Sequence, residues 1–435
     1  MLQFPQGICK MCGSWTACFC TRQATCCPEA RLRYARSWAE KESTLGMFTP
    51  RQPSKNPLAL TLAGIIFSMV ASQTVQDGAL GPLLATALAQ RSVRPMWVGA
   101  VVGAPSISIA LLSPFSAKLY KSVGPRVGLS VAAFVTIACL LSYPLVERTS
   151  GWFLLSLIVG FAMAVRWVMG ETWLITSAPG DLRGRAVGIQ EICIGLANAA
   201  GQALIATTGS SGRTPFLACA AVMAGAGFIP LLVRARNPCA DLVRVSKPET
   251  QTHWPTAVRL ALASAFVGGA LETGAHAFLP MLVLGKLWEG SSPLFAASVF
   301  SLGAMASQLP LGVLTDRIGS ERIHLKVSVL LLIVGCALAW TLTAWIGCLF
   351  IFLGGACTGC LYTLAGLSIA ASSKQVSAGI AKIAIAYTLG GFVGPVTIGT
   401  LVGVIGAPAL GCTVLASGLG LLLVQYCTKS LVSTR

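Results

Sequence analysis

The sequence contains little charge, and negative charge is the scarcest kind. Only 10% of the 435 residues are charged, and 14 Asp and Glu face 31 Lys and Arg. Soluble domains usually carry about 25% charged residues. Together with 55% hydrophobic residues and a mean hydropathy of +0.76, this composition excludes an ordinary soluble protein of two or three domains.

Histidine and nucleotide-binding motifs are also scarce or absent. The three histidines are His253, His276 and His324, and no H-x-x-x-x-D pattern occurs. A membrane-embedded enzyme, such as a lipid-modifying transferase, would need a His/Asp or Ser/His cluster at an interface. The chain also lacks the phosphate-binding pattern G-x-x-x-x-G-K-[ST]. We therefore expect neither an enzyme nor a cofactor.

Six of the 16 cysteines lie within the first 27 residues. Cys9 and Cys12 form a C-x-x-C pair, but no second well-spaced pair or histidine follows, so we predict no metal site. No apolar core makes this segment a signal peptide. We interpret residues 1–56 as a disordered cytoplasmic tail, with Met47 as an alternative start.

Long apolar runs follow one another from residue 57 onward. A bilayer has a hydrocarbon core about 30 Å thick, which about 20 helical residues cross. The sequence thus predicts an all-α polytopic membrane protein with twelve transmembrane helices. Their predicted ranges are 57–80, 96–116, 127–146, 152–174, 186–207, 214–233, 257–284, 292–313, 324–343, 345–370, 379–405 and 407–426.

The basic residues indicate how the predicted helices are oriented. With the N-terminus in the cytoplasm, 25 of the 31 Lys and Arg fall in cytoplasmic segments and five in outer loops. This asymmetry predicts that both termini are cytoplasmic. It also accounts for the net charge of +17, because the positive charge is scattered over loops beside the membrane. We therefore expect a lipid bilayer as partner and no nucleic acid.

An internal repeat divides the predicted helices six and six. At an offset of 195 residues, three pairs of similar residues align: Asp77 with Glu272, Gly124 with Gly319, and Gly195 with Gly390. Such a repeat predicts two parallel halves related by an axis along the membrane normal. The predicted divisions are a tail at 1–56, a first half at 57–233, a cytoplasmic linker at 234–256, a second half at 257–426 and a tail at 427–435.

The stretch QLPLGVLTDRIGSERIHL, residues 308–325, concentrates charge between two apolar runs. Its Gly312, Asp316, Arg317 and Gly319 resemble the G-x-x-x-D-[RK]-x-G signature of the major facilitator superfamily. The resemblance extends over roughly 57–426. It implies two six-helix halves around a central cavity that opens alternately to each side, with these four residues in a loop that latches the cytoplasmic side.

Other stretches also resemble this family, and some depart from it. Arg166 and Gly170 match an Arg-x-x-x-Gly pattern of the fourth span, and "GGALETGAHAFLP" resembles the seventh span of bacterial members. The corresponding first-half loop has Ala117, Lys121 and Ser122 where the signature has Gly, Asp and a basic residue. A symmetric latch in both halves is therefore not expected.

Ionisable and amide side chains within the predicted spans are the candidate site residues. Such groups are costly in a bilayer, so they usually face a cavity or a partner. They are Asp77, Arg166, Glu191, Asn198, Glu272 and His276. Helical spacing places Gln73 with Asp77 on one face of the first span, and Glu272 with His276 on one face of the seventh.

Two interpretations of these residues stay open. Arg166 and Glu191 lie at similar depths, so they can form a structural ion pair or take part in proton coupling. Glu272 is the strongest functional candidate, because its repeat partner Asp77 is also acidic and a histidine lies one turn away. Trp167, Gln308, Tyr362 and Tyr387 are further candidates for lining a cavity.

The resemblance and the buried acids predict a secondary active transporter. We expect a monomer in the cytoplasmic (inner) membrane that moves a small solute by alternating access, coupled to protons. The alternative is a transport-inactive facilitator-like protein that acts as a sensor or an assembly partner.

Overall fold

A computed structural model describes most of the chain beyond the predicted tail. The described residues are 55–112, 115–178, 183–233, 256–282, 294–340, 344–372 and 376–433. Residues 1–54 of the predicted tail at 1–56, and residues 234–255 of the predicted linker at 234–256, lie outside them. Within these ranges the secondary structure is helical, with no strand.

Twelve long helices form within the described ranges. The first, α1, combines an α-helix at Lys55–Gln73, a π-helical segment at Thr74–Ala79 and an α-helix at Leu80–Gln90. The others are α2 (Pro95–Leu112), α3 (Pro125–Ser142), α4 (Thr149–Ser177), α5 (Arg183–Thr208), α6 (Thr214–Leu232), α7 (Thr256–Leu282), α8 (Leu294–Ile318), α9 (Ser320–Trp340), α10 (Ala344–Ser372), α11 (Val376–Ile405) and α12 (Ala409–Ser433).

The predicted all-α fold with twelve transmembrane helices is confirmed. In the described part of the chain, nine helices are long and apolar enough to cross a bilayer by length and composition. The remaining three helices contain polar candidate residues: α5 contains Asn198, α7 contains His276 and α8 contains Gln308. Large apolar side chains such as Leu60, Val404 and Trp340 are exposed on the surface. A lipid-facing surface accounts for this exposure, because hydrocarbon does not penalise apolar side chains.

The backbone repeats itself at the predicted offset. Gly124 and Gly319 have φ angles of 77° and 84°, a conformation that glycine adopts without strain. The N–H of Gly124 bonds the carbonyl of Tyr120, and the N–H of Gly319 bonds the carbonyl of Thr315, again 195 residues apart. Each glycine begins the next long helix. The alignment of these two glycines is therefore confirmed by matching geometry.

The charged signature stretch is more helical than we predicted. Helix α8 continues to Ile318, and α9 begins at Ser320, so Gly319 alone connects them. Gly312, Asp316 and Arg317 consequently lie in the last turns of α8, and the expectation of a charged loop after 313 was wrong. A single glycine in the left-handed region is enough to end one helix and start another.

The first span is also longer than its predicted range of 57–80. It runs to Gln90 through the π-helical segment at Thr74–Ala79, which contains Asp77. A π-helical turn widens the helix and is often found at functional sites. This segment packs against α5, where a side chain on Gly78 would strike the backbone of Asn198 and one on Gly201 would strike the carbonyl of Thr74.

The two halves make close contact along α2 and α11. The backbone of Gly99 lies against Pro395, and Gly103 lies against Gly391 and Phe392. Small residues let helix backbones approach closely in membranes, where packing replaces the hydrophobic effect as the driving force. These contacts all lie in the half of α2 that follows the α1–α2 connection.

The apolar cores show that the halves are joined at one end. We call the end where α1 meets α2 the Arg91 end, and the end where α8 meets α9 the Arg317 end. One buried cluster joins Leu84 and Leu88 of α1 to Phe278 of α7, toward the Arg91 end. Toward the Arg317 end, two further described clusters each stay within one half. The halves are therefore packed together at the Arg91 end and have separate cores at the other.

Candidate functional site

A network of four polar side chains joins α1, α4 and α5 inside the first half. Arg166 Nη2 donates to Asp77 Oδ2 at 2.8 Å, forming a salt bridge. Its Nη1 donates to Gln73 Oε1 at 2.6 Å, and Gln73 Nε2 donates to Asn198 Oδ1 at 3.0 Å. The shared helix face predicted for Gln73 and Asp77 is confirmed, because both side chains meet the same guanidinium.

Arg166 has a partner that we did not predict. We interpreted Arg166 as able to pair with Glu191 on α5, and the structure pairs it with Asp77 on α1. Asp77 lies in the π-helical segment, and a local π-helical turn cannot be inferred from an even 3.6-residue spacing. The side chain of Glu191 lies outside the described residues, so its role stays a prediction.

A second carboxylate lies in the other half. Tyr387 of α11 donates its hydroxyl to Glu272 Oε2 at 2.7 Å, and the ring of Tyr362 packs edge-on against Tyr387 with centroids 4.9 Å apart. Close backbone packing of α7 on α11 places these groups together, since Gly269 lies against Tyr387 and Gly390 against Phe266. Both tyrosines were candidates from the sequence, and Tyr387 is a direct partner of Glu272.

The two carboxylates are near enough to interact across the halves. When both are ionised, Glu272 and Asp77 lie near enough for their charges to repel one another. Arg166 forms a salt bridge with Asp77. Two ionised carboxylates and one guanidinium sum to one negative charge, so a single bound proton or another cation makes this group neutral.

His276 belongs to a third polar group, which sequence reasoning only partly anticipated. His276 Nε2 lies 2.9 Å from Ser301 Oγ of α8, and Gln202 Nε2 of α5 donates to the same Oγ at 3.0 Å. We did not single out Ser301. The sequence does contain a pattern that could have indicated Ser301. Ser301, Met305 and Gln308 recur at i, i+4 and i+7, so they share one face of α8.

The polar residues of α5 face two different neighbours. Asn198 contacts α1 through Gln73, whereas Gln202 contacts α8 through Ser301. Gly195, which aligned with Gly390 in the repeat, packs against the side chain of Met305 of α8. Gly390 instead packs on the backbone of α7. The two glycines therefore differ in their surroundings.

The other candidates make separate contacts. Trp167 Nε1 donates to Glu171 Oε1 at 2.6 Å within α4, and Gln308 is exposed and accepts from Thr363 of α10. Arg317 is exposed at the end of α8. The surroundings of Gly312 and of the Asp316 side chain lie outside the described part of the structure, so the latch assigned to these residues stays a prediction.

No cluster of three or more potential metal ligands forms among the described side chains. The polar groups are arranged instead as hydrogen-bonded pairs around the junction of the two halves. Such an arrangement can bind a solute or a proton, and it places titratable groups on helices of both halves.

The family model of the Major Facilitator Superfamily matches residues 62–290, more than half of the chain. The protein belongs to the Major Facilitator Superfamily. Relatives include the MFS-type transporter YfkF of Bacillus subtilis, 24% identical over 67% of this chain and 76% of its own length. The MFS-type transporter YcaD of Salmonella arizonae is 23% identical over 78% and 87% of the two chains.

Solved structures show the same fold. The nucleoside transporter NupG superposes with a TM-score of 0.68 at 13% identity, over 86% of this chain and 99% of that one. A D-xylose-proton symporter superposes with a TM-score of 0.65 at 12% identity, over 84% and 96% of the two chains. The fold of two parallel six-helix halves in a multi-pass membrane protein is therefore established for this superfamily member.

Proposed function

We propose that the protein is a secondary active transporter that moves a small solute across the membrane by alternating access, coupled to protons. The observation that carries the proposal is that each half holds a hydrogen-bonded carboxylate, Asp77 with Arg166 in the first half and Glu272 with Tyr387 in the second. A rocking motion of the halves would change the surroundings of both groups. Membership of a superfamily whose named relatives are transporters supports transport itself.

The distribution of basic residues supports an orientation. Because 25 of the 31 Lys and Arg lie on the predicted cytoplasmic side, we assign the Arg317 end to the cytoplasm and both termini to the same side. The apolar core joined across the halves at the Arg91 end would then seal the outer side. On this assignment, in the cytoplasmic (inner) membrane of a bacterium, the structure represents an arrangement closed toward the outside.

Charge balance supports proton coupling. Asp77 is neutralised by Arg166, whereas Glu272 has a hydrogen bond from Tyr387 and no salt bridge within the described chain. An uncompensated charge inside a bilayer is costly. A proton on Glu272 removes that cost and can be released when its surroundings change. We therefore assign Glu272 as the proton-carrying group, with Asp77 and Arg166 as a companion pair that contacts it or the solute.

The decisive experiment compares two transport modes of Glu272→Gln in proteoliposomes. A thermal-shift screen of purified protein first identifies a solute, because ligands that bind the native state stabilise it. Nucleosides and D-xylose belong in this screen, since the proteins of similar fold bear their names. The variant should lose accumulation against a gradient under an imposed pH difference, yet retain exchange of internal for external solute, which needs no net proton movement.

Glu171→Gln is the matched control. It makes the same chemical change on a carboxylate that Trp167 hydrogen-bonds within α4. It should keep both transport modes. Accumulation by Glu272→Gln would refute the proton assignment, and a wild type that binds solute without any flux would instead favour the sensor interpretation.

A further inference from the structure

The group formed by Gln202, Ser301 and His276 connects the halves near the sealed Arg91 end. Gln202 belongs to the first half, and the other two residues belong to the second. Gln202 and Ser301 are buried, so their hydrogen bond of 3.0 Å must break when the halves separate at this end.

The hydrogen-bond directions in this group follow from the chemistry of its members. His276 Nε2 lies 2.9 Å from Ser301 Oγ. In the neutral ring with its hydrogen on Nδ1, Nε2 accepts from the Ser301 hydroxyl. The Ser301 oxygen in turn accepts from the Gln202 amide. Ser301 is thus satisfied by both neighbours.

One atom of the group is left without a partner. Gln202 Oε1 is buried and has no hydrogen bond. A buried carbonyl without a donor costs about 1–3 kcal/mol relative to its hydrated state. Separation of the halves would therefore break one hydrogen bond but hydrate Oε1. The two effects are of similar size, so this contact holds the end closed only weakly.

We propose that Gln202 and Ser301 form a reversible latch at the Arg91 end, and that the unpaired Gln202 Oε1 keeps the closed state close in free energy to the open one. The proposal goes beyond solute or proton binding, because it assigns a gating role to residues outside the carboxylate junction. It rests on the alternating access proposed above. A closed state that is too stable would trap the transporter, since a ligand shifts an equilibrium only by its differential affinity.

The latch predicts opposite effects for two substitutions at one contact. Ser301→Ala leaves the buried Gln202 amide without an acceptor and His276 Nε2 without a donor, so the closed state loses stability. Gln202→Leu removes the unpaired carbonyl together with the amide and fills the same space with apolar atoms. Ser301 keeps its hydrogen bond with His276, so the change leaves no buried partner unsatisfied, and such a replacement is nearly neutral or stabilising. The second variant should therefore stay closed at least as firmly as the wild type.

Hydrogen–deuterium exchange of the full-length protein in detergent measures this without solute or pH gradient. The informative peptides cover Leu80–Gln90 of α1 and the first turns of α2, where the halves meet. Exchange there should rise about tenfold in Ser301→Ala, and should fall or stay unchanged in Gln202→Leu. Peptides of α9 and α12 should be unaffected in both variants.

Two matched control substitutions change contacts that lie within a single half. In the second half, Ser368→Ala removes a buried hydroxyl that lies beside Nε2 of His324 and matches Ser301→Ala. In the first half, Gln76→Leu removes an amide group that donates to Thr136 and whose Oε1 is likewise unpaired, and it matches Gln202→Leu. Neither should change exchange at the Arg91 end.

The outcomes separate the latch from an ordinary structural contact. Increased exchange in both Ser301→Ala and Gln202→Leu would mean that the contact merely supports the fold, and it would overturn the proposal. No increase in Ser301→Ala, or the same increase in Ser368→Ala, would overturn it too. Because the measurement needs no transport, a failed proton assignment for Glu272 leaves this result interpretable.

Discussion

The Arg166–Asp77 salt bridge makes a quantitative prediction about stability. Asp77→Asn removes the carboxylate and leaves a guanidinium whose side chain is only 8% exposed without its counter-charge. Removing one partner of a buried pair costs about 3–5 kcal/mol. The Asp77 side chain is itself 33% exposed, so we expect a loss near the lower end, about 3 kcal/mol.

The double variant Asp77→Asn/Arg166→Gln should recover most of that loss, because no uncompensated charge remains inside the bundle. Thermal unfolding of the purified proteins in detergent gives their order of stability. The wild type, Asp77→Asn, Arg166→Gln and the double variant together form a double-mutant cycle. Arg213→Gln, at an exposed position outside the bundle interior, is a control that should change stability by less than about 0.5 kcal/mol. If the double variant is less stable than Asp77→Asn, the two residues do not act as a pair.

Three further predictions address the signature stretch, the orientation and the carboxylate in the second half. Asp316→Asn removes the charge assigned to the cytoplasmic latch, so flux in proteoliposomes should fall while folded protein still reaches the membrane; normal flux would leave the stretch as a topological signal only. In a background without reactive cysteines, an impermeant thiol reagent applied from outside should label Ser150→Cys and spare Ser320→Cys, and the reverse pattern would invert the assigned orientation. Tyr387→Phe removes the hydroxyl that donates to Glu272. A hydrogen bond to a charged group contributes about 1.5 kcal/mol, so this variant should reduce pH-driven accumulation about tenfold. Unchanged accumulation would show that this hydrogen bond is dispensable.

Some features of the site were predictable because they depend on local periodicity. Helical spacing places Gln73 and Asp77 on one face of α1, and both indeed meet Arg166. The offset of 195 residues aligns Gly124 with Gly319, and both adopt positive φ before a new helix. Local patterns of this kind depend on neighbours along the chain, so the amino-acid sequence contains them directly.

Other features could not be predicted because they depend on how helices from distant segments pack. The contact of Asp77 with Arg166 depends on how α1 packs beside α4 and α5, and α1 approaches α5 closely at Gly78. Ser301 contacts Gln202 and His276 because α8 packs against α5 and α7 in the tertiary structure. A serine in an apolar span gives no sign of which helix it will face.

By itself, the sequence determined the all-α membrane fold, its twelve helices and its two related halves. The lengths of the apolar runs, the asymmetry of the basic residues and the repeat are all properties of the chain itself. An apolar run forms a helix in a bilayer because each backbone polar group must be hydrogen-bonded within its own segment. The tertiary structure alone decided which polar groups meet and which end of the bundle is sealed. Those outcomes depend on backbone distances of a few ångströms between helices, where a glycine lets two backbones approach and so influences which side chains meet.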